Sequence, residues 1–439
     1  MSPLVYRIVS LLQGLLASVP VGTNRGLLQL MLVLLSGRLL SSRGALFPAL
    51  SDLGLDPAQV RRAEAALCYG RYRLEDLTAS WQRIVLSEGH FVAHCYEGYR
   101  PLACDLTGFF RPQLQGAIGK HYHSPSGKAL PALCVGMVAA VGSVGKMRLA
   151  LPRALLTGQA GDTREKDLKR RTLCQAACGL QATEVLLVDA EFEISELLQA
   201  KVARFVRRAD SNFTARRNAL PTYQGKGRRP EYGELVRPLA RTYRDTLLPA
   251  TPPDATTRWK VGKRWVKAGV WENLVASEAK PGEPSFRCVA IWDPRYKHPL
   301  LLVTNLTISV FALWQLYKDR WSIEQLPLAA KQMLGAERSF VFGQDSRQRW
   351  PVLALLAGNL LSYVAATSAP VATGFWDRCA RPTCGRIRRV LSQLHFCDLP
   401  TFSPRFRKKN SPTDHLTKGV KGHRRTIKMN LANDDAHNS

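Results

Sequence analysis

The sequence predicts a mixed α/β fold whose sheet gathers strands from distant parts of the chain. The N-terminal part carries apolar residues without period-two alternation, which indicates helices. Short apolar runs such as "EVLLVDAEF" follow and indicate buried strands, and later stretches such as "RWKVGKRWVKAGVW" alternate like hairpin strands. A chain of 439 residues can bury a large core and has room for two or three domains.

The N-terminal part contains a pattern typical of two helices joined by a turn, "SSRGALFPALSDLGLDPAQVRRAEAAL". Asp56 is suited to cap the second helix, and Pro57 to begin it. That helix would present Gln59, Arg61 and Arg62 outward. Two interpretations fit this pattern: a DNA-reading helix-turn-helix and plain packing within a helical bundle.

The middle of the chain predicts a sheet in a definite order. "PLACDLTGFF" is a first strand, and "ALPALCVGMVAAVGSVGKMRLALP" gives two more strands joined near Ser143 to Lys146. "TREKDLKRRTLCQAACGL" is then a helix with a basic outer face, and "EVLLVDAEF" is a buried strand. An antiparallel strand set followed by a helix and a buried strand is the opening of an RNase H-like sheet.

Composition shifts divide the rest of the chain. A Gly-, Pro- and Arg-rich stretch followed by hairpin strands predicts an inserted basic subdomain, after which "HPLLLVTNL" returns to a buried strand. The predicted domains are a helical, DNA-binding region (1–98), the first part of the core (99–213), a basic β-rich insertion (214–297), the second part of the core (298–368) and a basic C-terminal tail (369–439). Within this tail, "SPRFRKKNSPTDHLTKGVKGHRRTIKMN" has few apolar anchors. It is expected to contact phosphates without sequence discrimination, or to have no defined role.

The charge balance favours a polyanionic partner. Lys and Arg number 62 against 34 Asp and Glu, so the net charge is +28. Nucleic acid is the first expectation, although ribosomal and membrane-surface proteins are also basic. The ten cysteines include no C-x-x-C pair, which predicts a reducing compartment without a structural zinc site or a disulfide framework. We therefore expect a cytoplasmic protein.

Two apolar stretches resemble membrane segments but are interpreted as buried helices. "GLLQLMLVLLSG" is too short to span a bilayer, and "WPVLALLAGNLLSYVAAT" is interrupted by Asn359 and Ser362. The apolar start of the chain lacks a charged leader, and Arg7 lies where a signal peptide would be apolar. No membrane association is expected.

Three acids have the spacing that a metal-dependent phosphoryl transferase needs. Asp105 and Asp189 are each predicted at the C-terminal end of an apolar strand, and Glu324 lies on a helix after the last strand, so one sheet can bring them together. Clustered carboxylates repel by roughly 4 kcal/mol per close pair at an effective dielectric constant near 20, which divalent cations relieve. Their oxygens suit Mg²⁺ or Mn²⁺. Glu191 competes with Asp189 but follows the end of the apolar run.

The segment "YKDRWSIEQLPLAAK" is interpreted as an amphipathic helix that places Tyr317, Glu324 and Lys331 on one face. Pro327 is expected to kink or restart this helix because it removes a backbone hydrogen bond. Ser322 with Gln325 could cap a fresh start, which would move Tyr317 and Arg320 onto a preceding turn. The spacing Tyr317-x2-Arg320-x3-Glu324-x6-Lys331 resembles the Y-(2)-R-(3)-E-(6)-K signature of bacterial insertion-sequence transposases of the DDE type. "PLACDLTGFF" and "LLVDAEF" resemble the first two acidic motifs of that family.

The resemblance implies an RNase H-like core with a β-rich insertion and an N-terminal helical DNA-binding region. It implies cut-and-paste transposition in which Asp105, Asp189 and Glu324 are catalytic and hold two Mg²⁺ ions, with Mn²⁺ as a substitute. Tyr317, Arg320 and Lys331 would grip DNA phosphates.

The implied partners are double-stranded DNA, namely terminal inverted repeats and target DNA, and a second copy of the chain in a homodimeric synaptic complex near the bacterial nucleoid. Family members can open a DNA hairpin with a flipped base stacked on an aromatic ring, for which Trp271 and Trp292 are candidates. Two alternatives remain at this point: a domesticated transposase that only binds DNA, and a metal-dependent RNase H-like nuclease.

Overall fold

The protein folds around one large mixed sheet with helices on both faces, so the predicted α/β class is confirmed. The computed structural model describes residues 3–111, 119–158, 165–225, 227–339, 341, 343–372, 374–381, 383–400 and 402–406.

The N-terminal region is helical, as predicted, up to a short strand that the sequence did not indicate. Its helices are α1 (Pro3–Leu15), α2 (Thr23–Ser36), α3 (Arg38–Ser41), α4 (Leu46–Asp52), α5 (Pro57–Tyr69) and α6 (Leu74–Ser87), followed by β1 (Phe91–Ala93). The start of α5 is as expected: the Asp56 carboxylate accepts from the Gln59 N–H at 2.8 Å, and the Gln59 side chain caps the Asp56 N–H in return. Arg61 is exposed, whereas Gln59 and Arg62 are half-buried.

The strands that follow belong to the stretch that the sequence analysis assigns to the first part of the core. They are β2 (Arg100–Phe110), β3 (Gly119–His123), β4 (Lys128–Val144), β5 (Met147–Thr157), β6 (Glu184–Val188) and β7 (Phe205–Ala209), with helices α7 (Glu165–Cys178) and α8 (Ile194–Gln199). The order across this part of the sheet is β5-β4-β2-β6-β7. The first three strands are antiparallel, and β6 and β7 run parallel to β2.

The predicted insertion contains strands, and these continue the central sheet. They are β8 (Ala215–Arg217), β9 (Leu235–Val236), β10 (Arg241–Tyr243), β11 (Thr246–Leu248), β12 (Ala255–Val261), β13 (Arg264–Ala276) and β14 (Phe286–Trp292), after which β15 (Leu300–Thr304) returns to the core. β15 pairs antiparallel with β14 on one edge and with β7 on the other. Hydrogen bonds therefore run without a break from core to insertion.

The segment after β15 is not the single helix that the sequence predicted. Helix α9 (Val310–Lys318) ends early, a 3₁₀ turn covers Asp319–Glu324, α10 (Gln325–Leu328) is one turn long, and Ala329–Met333 is π-helical. The irregularity that Pro327 was expected to cause is present, but it begins eight residues earlier in the chain. The interpretation that Tyr317, Glu324 and Lys331 share one helical face is therefore wrong, because 3₁₀ and π turns change the rotation per residue.

Helix α11 (Gln344–Thr367) is the central helix of the core. Among the described residues it is the one helix long and apolar enough to cross a membrane, but 83% of its apolar window is buried inside the protein. Asn359, which interrupts the apolar run, is fully used there: its Oδ1 accepts from the Trp81 indole at 2.7 Å, and its Nδ2 donates to the Ala150 carbonyl at 2.8 Å. The helix thus binds α6 and β5 together.

The sheet is covered on both faces, and the alternation of β2 shows which side chains face which layer. Ala103 and Phe109 pack in the core formed with α11 and the N-terminal helices. Leu102, Cys104 and Leu106 pack on the opposite face with α7 and α8. Asp105, an odd-numbered residue of the strand, therefore points to the face where the segment after α9 lies.

Part of the predicted C-terminal tail is packed rather than solvated. Helix α12 (Cys384–Ser392) buries Ile387 and Leu391 in the N-terminal core, and Phe396 and Phe406 join them. The remaining basic stretch, 407–439, lies outside the described residues.

Replacing Asn359 by alanine should lower the free energy of unfolding by roughly 2–6 kcal/mol, because two buried groups lose their partners at about 1–3 kcal/mol each. Denaturant unfolding measures this loss. Ser362→Ala is the matched control: it is on the same helix, but its hydroxyl donates back to the Gly358 carbonyl. Equal stabilities of the two variants would contradict the role given to Asn359.

Candidate functional site

Two of the three predicted acids are brought together by the pairing of parallel strands. Ala103 of β2 lies opposite Leu187 of β6, so Asp105 and Asp189, each two residues further along, come to the same level of the sheet. Asp189 directly follows β6, as predicted. Asp105 does not end its strand, because β2 continues to pair with β4 as far as Phe110, beyond the end of β6.

The third acid, Glu324, reaches the same place through the 3₁₀ turn, and Arg320 lies among all three. The Arg320 Nη2 contacts the Glu324 Oε1 at 2.7 Å and the Asp189 Oδ2 at 3.5 Å. Its Nη1 contacts the Asp105 Oδ2 at 3.5 Å. Acids that are 84 and 135 residues apart in the chain are thus joined by one guanidinium. We refer to Asp105, Asp189, Glu324 and Arg320 as the acidic cluster.

The charges of the acidic cluster depend on each other. Burial raises the pKa of Asp105 to about 7, against the opposing effects of Arg320 and of the Leu106 N–H, which donates to it at 2.9 Å. Burial alone would lower the pKa of Arg320, but Tyr317 and the three carboxylates together raise it above its usual value. The guanidinium therefore stays charged, and burial brings the pKa of Asp105 close to neutral pH.

A second set of contacts fixes the turn that carries Arg320. The neighbouring residue Asp319 is completely buried, at 0% exposure, and accepts from the Tyr96 hydroxyl at 2.8 Å. The His94 Nδ1 lies 2.6 Å from the same carboxylate oxygen, and the His94 Nε2 lies 2.5 Å from the Ser143 hydroxyl. Arg148 approaches the other carboxylate oxygen at 3.5 Å. These contacts hold the turn against β4 and β5.

Tyr317 and Lys331, the other residues of the spacing motif, lie beside the acidic cluster but point into the protein. Tyr317 is buried, and its ring centroid is 5.9 Å from the Arg320 guanidinium carbon. The Lys331 Nζ donates to the Gly108 carbonyl at 2.6 Å and lies over the Phe109 ring. Burial lowers the pKa of Lys331. Their predicted contact with DNA phosphates stays a prediction.

Sequence reasoning missed two side chains at this site. Arg208 of β7 lies 3.8 Å from the Asp189 carboxylate, and Trp321, next to Arg320, is 60% exposed. The spacing motif skips Trp321, although an aromatic residue between two functional positions was a visible signal. His94 and Asp319 were also missed, because their contacts join distant parts of the chain.

The structure distinguishes the two tryptophan candidates for base stacking and places Glu191, the competing acid. Trp271 is buried and its indole donates to the Thr251 carbonyl at 3.0 Å, so it is not available to stack on a base. Trp292 is 39% exposed and stays a candidate. Glu191 lies between the acidic cluster and a second group of side chains: its charge raises the pKa of Asp105, and it interacts electrostatically with Glu165, His121 and Asp189.

The donor set of the acidic cluster fits hard divalent cations. The Asp189 and Glu324 oxygens that face Arg320 are 3.5 and 2.7 Å from the same nitrogen, so they are no more than about 6 Å apart. Carboxylate oxygens suit Mg²⁺ or Mn²⁺. The donor atoms of the three acids do not all lie within 4.8 Å of one another, a condition that His121, Cys134 and Glu165 alone meet among the described residues, so the acids would have to move closer to share an ion. A cation would compete with the Arg320 guanidinium for the same oxygens. Asp105, Asp189 and Glu324 are therefore the residues that could hold the metal.

No protein-family model matches this sequence, and comparison with curated proteins likewise finds no match.

Proposed function

We propose that the protein is a DDE-type transposase that cleaves DNA at the ends of a mobile element and joins the resulting 3′-hydroxyl to target DNA. The observation that carries this proposal is the meeting of Asp105, Asp189 and Glu324 around Arg320. In such an arrangement metal ions could replace Arg320 at the three carboxylates, and the freed arginine could bind a DNA phosphate.

The strand order supports the proposal. The strand order is β5-β4-β2-β6-β7, in which β2, β4 and β5 are antiparallel and β6 and β7 run parallel to β2. This is the arrangement expected of an RNase H-like core. The acids lie on β2, directly after the adjacent strand β6, and on the segment after β15, as the resemblance implies. The β-rich strands between β7 and β15 correspond to the expected insertion.

The chemistry proposed for the site divides between the ions and the side chains. When bound, two Mg²⁺ ions would activate the attacking hydroxyl and stabilise the leaving oxygen. Asp105, Asp189 and Glu324 would hold them. Arg320, displaced from the carboxylates, would be free to turn toward a DNA phosphate, and Arg208 lies where it would favour the same anion.

The rest of the chain supports DNA as substrate. A net charge of +28 favours the DNA backbone over neutral partners. The implied partners are the terminal inverted repeats, target DNA and a second copy of the chain, in the bacterial cytoplasm near the nucleoid. Arg61 on α5 and the basic residues of the insertion are the surfaces from which DNA contacts are expected.

Glu324→Gln should abolish cleavage of a transposon-end DNA while preserving its binding, because the amide cannot replace an anionic metal ligand. Cleavage and gel-shift assays measure the two properties. A strand-transfer assay with a precleaved 3′-hydroxyl end separates a transposase from a simple nuclease. Retained cutting by the variant would rule out the metal role of Glu324.

Arg320→Ala should destabilise the protein in EDTA, because three carboxylates then lose their common counter-charge. Mn²⁺ should raise the melting temperature of this variant more than that of the wild type, since the ion takes over the neutralisation. Arg153→Ala is the control, because that arginine pairs with Glu184 at the start of β6, at the opposite end of the strand from Asp189. An equal effect of Mn²⁺ on wild type and Arg320→Ala would oppose the proposal that ions and Arg320 compete.

Asp105 should make the stability depend on pH in EDTA. Its folded pKa of about 7 is above the ordinary value of 3.8, so its contribution is fully present below pH 4 and is lost as pH rises through 7. Asp105→Asn mimics the protonated form, so its stability advantage over wild type should grow between about pH 4 and 7 and level off at higher pH. The gain is up to a few kcal/mol, since one pKa unit corresponds to about 1.4 kcal/mol.

Denaturant unfolding at several pH values measures that difference, with the exposed Asp76→Asn as control. A constant difference between wild type and Asp105→Asn across this range would refute the assignment of the raised pKa to Asp105.

A further inference from the structure

A second set of potential metal ligands lies on the opposite face of β4 from the N-terminal core. His121 of β3, Cys134 of β4 and Glu165 at the start of α7 each offer one ligand atom, and these atoms all lie within 4.8 Å of one another. The side chains are half-buried or buried, and the His121 Nδ1 already contacts the Glu165 carboxylate. Three elements that are separate in sequence thus point their donor atoms at one place.

The pairing of β3 with β4 explains why the donors meet. His121 lies opposite Leu130 and Gly119 opposite Ala132, so Cys134 is on the same face as both β3 residues. A side chain at position 119 would meet the Cys134 Sγ at 2.9 Å.

A second glycine makes room for the imidazole. A Cβ atom at Gly108 would lie 2.7 Å from the His121 Cβ, which is closer than real Cβ contacts. The two glycines therefore leave the space that the histidine and the thiol occupy.

The donor chemistry selects the class of metal. An imidazole nitrogen, a sulfur and a carboxylate oxygen together suit Zn²⁺, with bond lengths of about 2.0–2.3 Å, whereas Mg²⁺ disfavours sulfur. A tetrahedral ion places its ligands about 3.3–3.8 Å apart, so side-chain movements of about 1 Å would close the site. Water or a fourth side chain would complete the coordination, and Glu191 is the nearby acid that interacts with both His121 and Glu165.

We propose that His121, Cys134 and Glu165 bind one Zn²⁺ ion that fastens β3 and α7 to β4. The sequence analysis predicted no structural zinc site because the chain has no C-x-x-C pair. The three ligands proposed here come from separate strands and a helix, which a search for such pairs does not detect. The site is independent of the acidic cluster and of the proposed function. It lies near Lys331, which is beside the acidic cluster. Cys134 is opposite Gly108 in the sheet, and the Gly108 carbonyl accepts a hydrogen bond from Lys331.

Cobalt substitution tests the proposal on the full chain, kept reduced and in excess Mg²⁺ to occupy the acidic cluster. One Co²⁺ per chain should bind with a sulfur-to-cobalt charge-transfer band, and Zn²⁺ should displace it. Cys134→Ser should remove the band. His121→Ala and Glu165→Gln should each weaken Zn²⁺ binding at least about 100-fold in a chelator competition, at or above the 10–100-fold loss from an outer-shell partner.

Matched controls are Cys288→Ser, another buried cysteine, and His123→Ala, two residues further along β3. Both should bind Co²⁺ and Zn²⁺ like the wild type. If Cys134→Ser fails to fold, Glu165→Gln, which changes a partly exposed side chain, still tests the site. Absence of the charge-transfer band in the wild type, its loss in Cys288→Ser instead of Cys134→Ser, or unchanged Zn²⁺ affinity in Glu165→Gln would overturn the proposal.

Discussion

The interaction on which the site depends is the contact of one guanidinium with three carboxylates. At 4 Å two like charges repel by about 4 kcal/mol at an effective dielectric constant near 20, so three gathered acids are unstable without a counter-charge. Arg320 supplies it, with each of its two terminal nitrogens facing at least one carboxylate. The consequence is a preformed site in which the acids are held in position and partly neutralised.

That arginine is itself held by buried polar contacts one residue away. Asp319 ties the turn to Tyr96 and His94, and through His94 to Ser143 at the end of β4. Because a buried carboxylate without partners is costly, these contacts restrict the turn to one arrangement. The 3₁₀ turn between α9 and α10 is thus held in one position against the sheet, and these contacts also fix the backbone of Glu324 at its end.

The sequence was informative where the signal is local and uninformative where the contacts are distant. Apolar runs predicted β2, β4, β5, β6 and β15, and the Asp56–Pro57 pair predicted the start of α5, because strand burial and helix capping leave local patterns. The proximity of Asp105 and Asp189 could be inferred because the pairing of β2 with β6 fixes it, whereas the position of Glu324 depends on the turn that carries it. The contacts of His94 with Asp319, and of His121 with Glu165, have no periodic signature. The break at Asp319 was missed because tertiary contacts decided it.

Strand β15 lies between β7 and β14 and thereby joins the core to the insertion. Leu301, Leu302 and Val303 are buried, and both edges of their strand are hydrogen-bonded. Deleting the insertion would leave an apolar edge open to pairing with other chains. Core and insertion therefore belong to one cooperative unit. A change of twist at β13 is transmitted through the backbone hydrogen bonds of β14 and β15 to β7, which lies next to the strand that leads into Asp189.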